Sequence, residues 1–240
     1  MIGTRVILRR GGRDEPEKPF WISFSDLMSA LMVLFLVAMS VALLAVTKTV
    51  TEAERARADR EKELEKLLDE VEEAAREFPG ISVDRTRNVI DFGERALFNT
   101  KSHQLKPDQA ALLRRFVPRV LEISRKQLGQ KWLKRIIVEG FTDQRGTYLF
   151  NLNLSLQRSQ RVLCVLLSPP GPEETALSPD DQEQIRELFL VGGYSFNSAK
   201  PSLDESRRIE FRLEFFTVGE GVPAKVNIPR GDFGACALGG

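Results

Sequence analysis

From Leu27 to Val46 the chain is apolar, interrupted only by Ser29 and Ser40. At about 1.5 Å of rise per residue, such a helix reaches roughly 30 Å, the thickness of a hydrocarbon core. A secretory leader has a shorter apolar region that ends in small residues. This run ends in Val46, Thr47 and Lys48 with no Ala-x-Ala site, which predicts a retained anchor. A transmembrane helix is expected over 20–47, preceded by an arm at 1–19.

The flanks set an expected orientation. The arm carries Arg5, Arg9, Arg10, Arg13 and Lys18 against Asp14, Glu15 and Glu17. Acidic residues count little in the positive-inside rule, so a cytoplasmic N-terminus is predicted, with residues beyond 48 outside the cytoplasm. Phe20, Trp21 and Phe24 place aromatic rings at the membrane entry, where amphipathic rings favour the interface. Asp26 stands at the head of the apolar run, where a charged carboxylate is costly. Two readings are open. As an N-cap, Asp26 needs no ion chemistry; about a turn inside the helix, it alternates between neutral and charged forms and handles an ion.

After the run the composition changes. "TEAERARADREKELEKLLDEVEEAAREF", from Thr51 to Phe78, is built of good helix formers and carries a narrow stripe of Leu64, Leu67, Val71, Ala74 and Phe78. A linker helix is expected within 48–80, either packed on its own copy in a parallel dimer or solvated as a spacer. "FPG" ends it. Residues 81–217 then alternate strands and helices. Two short strands fall in "ISVDRTRNVIDF" and a helix at 106–126, with a kink expected at Pro118. A strand follows at 135–141 and a helix at 149–167, and two more strands lie in "LFLVGGY" and "RRIEFRLEF". The fold class expected is an α/β sandwich preceded by a single transmembrane helix and a charged linker helix. Residues 218–240 read as a Gly-rich tail.

The formal net charge of +1 argues against a broad nucleic-acid footprint. His103 is the only histidine, which rules out a His-based metal cluster, and no CxxC, HExxH or nucleophile elbow occurs. "VGGYSFN" lacks GxGxxG spacing. Neither an enzyme nor a bound cofactor is expected. In an oxidising compartment Cys164 and Cys236 could pair and tie the tail to the domain; the other reading is that Cys164 is plain core.

One constellation remains, in "EGFTDQRGTYLFNLNLSLQRSQRV", residues 139–162. A strand ends at Thr142 and Asp143, a Gly turn follows, and a helix presents Asn151, Leu154, Ser155 and Arg158. By spacing alone, Asp143 and Arg158 form a surface salt bridge worth about 0–1 kcal/mol. The sharper reading is a zwitterion site, with Asp143 receiving an ammonium and Arg158 gripping a carboxylate bidentately.

Two stretches resemble known families. From Phe98 through "LKPDQAALLRRFVPRV", the segment above and "ESRRIEFRL", the chain resembles the OmpA-like peptidoglycan-binding domain, whose signature is G-H-T-D, a Gly turn, N-x-x-L-S-x-x-R-A and an N-R-R-V-E strand. The resemblance implies that Asp143 and Arg158 hold the diaminopimelate of the peptide stem. It implies too that Thr142, Asn151 and Leu154 shape the pocket and that Arg207 is an arginine of the N-R-R strand. Phe141, Ser159 and Ser206 depart from the family's His, Ala and Asn. "EKPFWISFSDLMSALMVLFLVAMS", 17–40, resembles the membrane segment of motor stator B subunits of the MotB type, in a form similar to the B subunits of Zorya anti-phage defence systems. That resemblance implies Asp26 as the carrier of a proton (or of sodium), with Trp21, Phe24, Ser25 and Ser29 beside the path. Its implied setting is the inner membrane, single-pass, with a periplasmic C-terminal domain on the cell wall. The implied partners are five copies of a MotA-like A subunit and a second copy of the chain.

Overall fold

The computed structural model describes residues 20–171, 174–221 and 233–238. The arm expected at 1–19 and much of the tail expected at 218–240 lie outside them. The chain divides into two compact units after Arg55.

The first unit is the apolar part of α1, a helix running Phe20–Arg76. Its best window has a mean hydropathy of 2.7, and every described side chain from Phe24 to Val50 is exposed. The hydroxyls turn back on the helix. Ser29 Oγ donates to Ser25 O at 2.8 Å, Ser40 Oγ to Leu36 O at 2.7 Å and Thr47 Oγ1 to Leu43 O at 2.6 Å. Such bonds leave a surface that is almost wholly hydrocarbon, as a spanning helix requires. The backbone is already helical at Phe20, so Asp26 lies more than a turn inside and is not an N-cap. No break separates the expected transmembrane and linker helices; one helix continues to Arg76.

The second unit begins at Ala56. Here the stripe of α1 enters the domain core: Leu67, Leu68, Val71, Ala74 and Ala75 are buried, with Leu64 and Phe78 packed against them. The expectation of a coiled-coil partner or a solvated spacer is corrected for these turns, because the surface covering the stripe belongs to the same chain. Polar residues fix the edges. Glu63 accepts from Lys131 and from Trp132 Nε1 at 2.6 Å, Lys126 pairs with Glu70 at 2.7 Å, and Arg60 Nε donates to Phe216 O at 2.8 Å.

A five-stranded sheet follows, ordered β1-β2-β5-β3-β4. Its strands are β1 Ser82–Asp84, β2 Val89–Asp91, β3 Leu133–Gly140, β4 Phe189–Gly193 and β5 Ile209–Phe215. Only β3 and β4 are parallel, joined through α4 (Tyr148–Leu167) and α5 (Pro179–Leu188). Before β3 come α2 (Pro107–Arg125), which continues through Pro118, and α3 (Gln127–Trp132); α6 (Leu203–Ser206) precedes β5. The expected α/β sandwich is therefore formed, with α3, α5 and α6 as additions. Alternation sorts the sheet's faces. Ile90, Ile136, Val138, Ile209, Phe211 and Leu213 join one core with the helices. On the other face Glu139 and Glu210, register partners, are held by arginines: Arg212 on Glu139 at 2.6 and 3.0 Å, Arg208 on Glu210 at 2.7 Å.

Two close approaches bring α4 onto this sheet. A Cβ on Gly140 would stand 1.9 Å from Ser155 O, and one on Gly193 would stand 2.8 Å from Leu156 N. These glycines are register partners on β3 and β4. At the far end of α4, Cys164 and Cys236 form a disulfide with Cα atoms 5.4 Å apart, fixing the tail to the helix.

Candidate functional site

The site lies where β3 gives way to α4. Phe141 N–H donates to Arg208 O and Thr142 N–H to Ser195 O, both at 2.9 Å, which holds the exit of the strand. The turn then uses Gly146 at φ 101°, and Thr147 caps α4 by accepting from Phe150 N–H. Asn151 Nδ2 donates to Arg145 O at 3.0 Å, pinning the turn to the first turn of the helix. Leu154 is buried beside it.

Arg158 is fully buried, and each of its three side-chain nitrogens donates to a backbone carbonyl. Nε donates to Ser102 O at 2.9 Å, Nη1 to Phe141 O at 2.7 Å and Nη2 to Asn99 O at 3.1 Å, with the Phe98 ring 5.0 Å from the guanidinium carbon. Burial, with Arg207 nearby, lowers its pKa to about 10 against the opposing pull of Asp143. Three donor positions are engaged by the carbonyl of Phe141, just past β3, and by two in the 99–102 loop, leaving two of the five N–H groups of a guanidinium. An open bidentate grip is thus not what the side chain presents. The surface salt bridge with Asp143 is also corrected, since Asp143 pairs elsewhere.

Asp143 is held by two other arginines. Its Oδ1 accepts from Arg145 N–H at 3.0 Å. Its Oδ2 accepts from Arg145 Nη2 at 2.6 Å, Arg145 Nε at 3.3 Å and Arg207 Nη1 at 3.1 Å. Burial alone would raise its pKa, but the hydrogen bonds from Arg145 and Arg207 prevail and hold it at about 2. Arg207 also donates to Phe98 O at 2.9 Å and Asp204 Oδ1 at 2.5 Å. Thr142 Oγ1 and His103 Nε2 are buried without a hydrogen-bond partner among the described residues.

Asp143, Arg207, Thr142, Asn151, Leu154 and Arg158 thus come together at one end of the sheet. The sequence reading missed Arg145, whose only sequence signal is its place two residues beyond Asp143 in a Gly turn. In α1 the helical pitch of about 100° per residue puts Ser29 on the side of Asp26 and Ser25 next to it. It puts Trp21 and Phe24 on the far side. No group of three or more His, Cys, Asp or Glu suited to a metal occurs among the described residues.

No protein-family model matches the chain. Among solved structures it is similar to the periplasmic domain of Helicobacter pylori MotB (19% identity, 61% of this chain and 86% of that one, TM-score 0.42). It is also similar to the OmpA-like domain of FopA1 from Francisella tularensis subsp. tularensis SCHU S4 (16% identity, 57% and 82%, TM-score 0.34). Among curated proteins, the Zorya protein ZorB of Escherichia coli O139:H28 (strain E24377A / ETEC) is 45% identical over 217 residues, covering 90% of this chain and 88% of that protein. A match of that length cannot be confined to the unit from Ala56 to Gly240 and must extend into the apolar helix. On that identity across both units, the chain belongs to the family of the Zorya protein ZorB.

Proposed function

We propose that the chain is the B-type subunit of an ion-driven rotary stator acting in anti-phage defence. Asp26 takes up and releases a proton, with sodium the alternative ion, while the folded domain holds the complex to peptidoglycan. Both parts are mechanically necessary: torque on a moving A subunit becomes relative motion only if B is fixed to something stationary. The observation that carries the reading is the 45% identity to ZorB over both units. The interior position of Asp26 supports it, because an ionisable residue inside a spanning helix is costly and, where one occurs, typically marks an ion path.

Of the four residues expected beside the path, Ser25 and Ser29 lie on or next to the side of Asp26 and would line it, whereas Trp21 and Phe24 face away from it. At the wall end, the diaminopimelate of a peptide stem would meet Asp143 through its ammonium, within a pocket shaped by Thr142, Asn151 and Leu154. Arg158 would offer its two remaining N–H groups to the carboxylate, and Arg207 would steady Asp143. The resemblance to stator B subunits supplies the arrangement of five A subunits around two copies of this chain. The Cys164–Cys236 disulfide supports an oxidising, periplasmic location for the domain and hence a cytoplasmic N-terminus in the inner membrane.

The test is phage resistance of cells carrying the complete system with Asp26→Asn, with expression and wall anchoring measured in parallel. Asn is nearly isosteric but cannot cycle a proton. Loss of protection with normal assembly is the expected result. Full protection would reduce the chain to a passive wall anchor.

A further inference from the structure

Asp143 is not free to receive an ammonium. Four N–H groups converge on its carboxylate, three of them on Oδ2, and two guanidiniums already balance its charge. Its side chain is 6% exposed, whereas that of Arg145 is 52% exposed. The open side of the carboxylate is therefore occupied by Arg145. A third cation approaching would meet like charge, so one guanidinium must leave before an ammonium can bind.

The two arginines are not equally able to leave. Arg207 is 11% exposed and also donates to Phe98 O, to Leu203 O at 3.2 Å and to Asp204. Among the described residues, the Arg145 side chain donates, apart from Asp143, only to the Thr100 hydroxyl, at 3.2 Å. Its backbone, by contrast, is fixed at both ends: the N–H on Asp143 and the carbonyl on Asn151. The side chain can swing out without moving the turn.

We infer that Arg145 is an internal stand-in for the ligand's ammonium, closing Asp143 when no ligand is bound and yielding only to a ligand with a cationic amine. This rests on the stem-peptide reading of the site above. Arg145 thereby acts as a selectivity residue. Ligands with a carboxylate but no amine cannot compensate the carboxylate that Arg145 would abandon, so they leave it in place and bind weakly.

The test uses the full chain in detergent and the tripeptide L-Ala-γ-D-Glu-meso-diaminopimelate, against the same tripeptide with 2-aminopimelate, which lacks the distal amine. Arg145→Met keeps bulk and removes the competitor. It should bind the diaminopimelate peptide about fivefold more tightly, the upper end of what an exposed ion pair is worth. The 2-aminopimelate peptide should show no comparable gain. Arg145→Lys, which keeps the charge, should stay near the parent value, and it serves as the folded control if Arg145→Met proves unstable, because any gain from it would count against the competitor role. If the parent chain binds, Asp143→Asn abolishes binding and Arg145→Met binds equally or more weakly, Arg145 is a ligand contact or a bystander and the inference fails alone. If neither the parent chain nor Arg145→Met binds the diaminopimelate peptide, the stem-peptide reading itself fails.

Discussion

Leu34 and Leu67 are the same residue type in the same helix, yet one is 67% exposed and the other 2%. Around Leu34 the apolar residues cover every side of α1; around Leu67 they form one stripe, with Glu63, Glu70 and Arg60 tied down at its edges. The stripe needs one surface and finds it in the domain core. The all-round pattern stays exposed among the described residues, as suits a helix whose solvent is lipid. The one ionisable residue between Trp21 and Thr47 is Asp26, so the chemistry of that stretch concentrates on a single carboxylate.

The comparison can be broken most strongly with one substitution made twice. Val71→Asp buries an unpaired carboxylate in the core and should cost the domain on the order of 4 kcal/mol, read as a large fall in its thermal midpoint. Val37→Asp should leave that midpoint unchanged and instead disfavour membrane insertion by about 3 kcal/mol, read as protein lost from the membrane fraction. Equal effects on both readouts would erase the distinction. A smaller change sharpens it from the covalent side. Cys236→Ser opens the cross-link spanning a sequence separation of 72 and should cost the domain about 2–4 kcal/mol without affecting insertion.

The smallest effect is the acid response. Because the folded pKa of Asp143 is about 2 against an ordinary 3.8, the unfolded chain binds more protons in that window, and stability rises with pH through it. The contribution is complete above about pH 4 and is lost as pH falls toward 2. A urea midpoint measured across that range should fall less steeply in Asp143→Asn than in the parent chain.

Most strands and the longer helices were legible because each has a period long enough to read. The alternation in "RRIEFRLEF" separates Ile209, Phe211 and Leu213 from Glu210, Arg212 and Glu214 as the structure does. By contrast, α5 has one buried residue, Ile185, and so has no stripe to detect; α3 spans six residues. The stripe of the linker helix was legible but its partner was not, since a stripe reports that a face is covered and not by what. The site shows the same limit. Its members could be picked from one segment and Arg207, but two of the three carbonyls that engage Arg158 belong to Asn99 and Ser102, 59 and 56 residues earlier. Nothing local announces such a partner. Arg145 was passed over because an exposed arginine in a turn is common, and only the crowding of Asp143 gives it meaning.

The contact of α4 with Gly140 and Gly193 has a genetic consequence. Every single-base change that replaces a glycine by another residue adds at least a Cβ, and here that atom would meet the backbone of α4, joined at Gly193 by the Ser155 hydroxyl. The two codons therefore form one target. A missense change in either should give the same allele class, with α4 lifted from the sheet and the Arg158 bond to Phe141 O stretched. Under the function proposed above, a screen for loss of wall anchoring should therefore recover both glycine positions alongside Asp143.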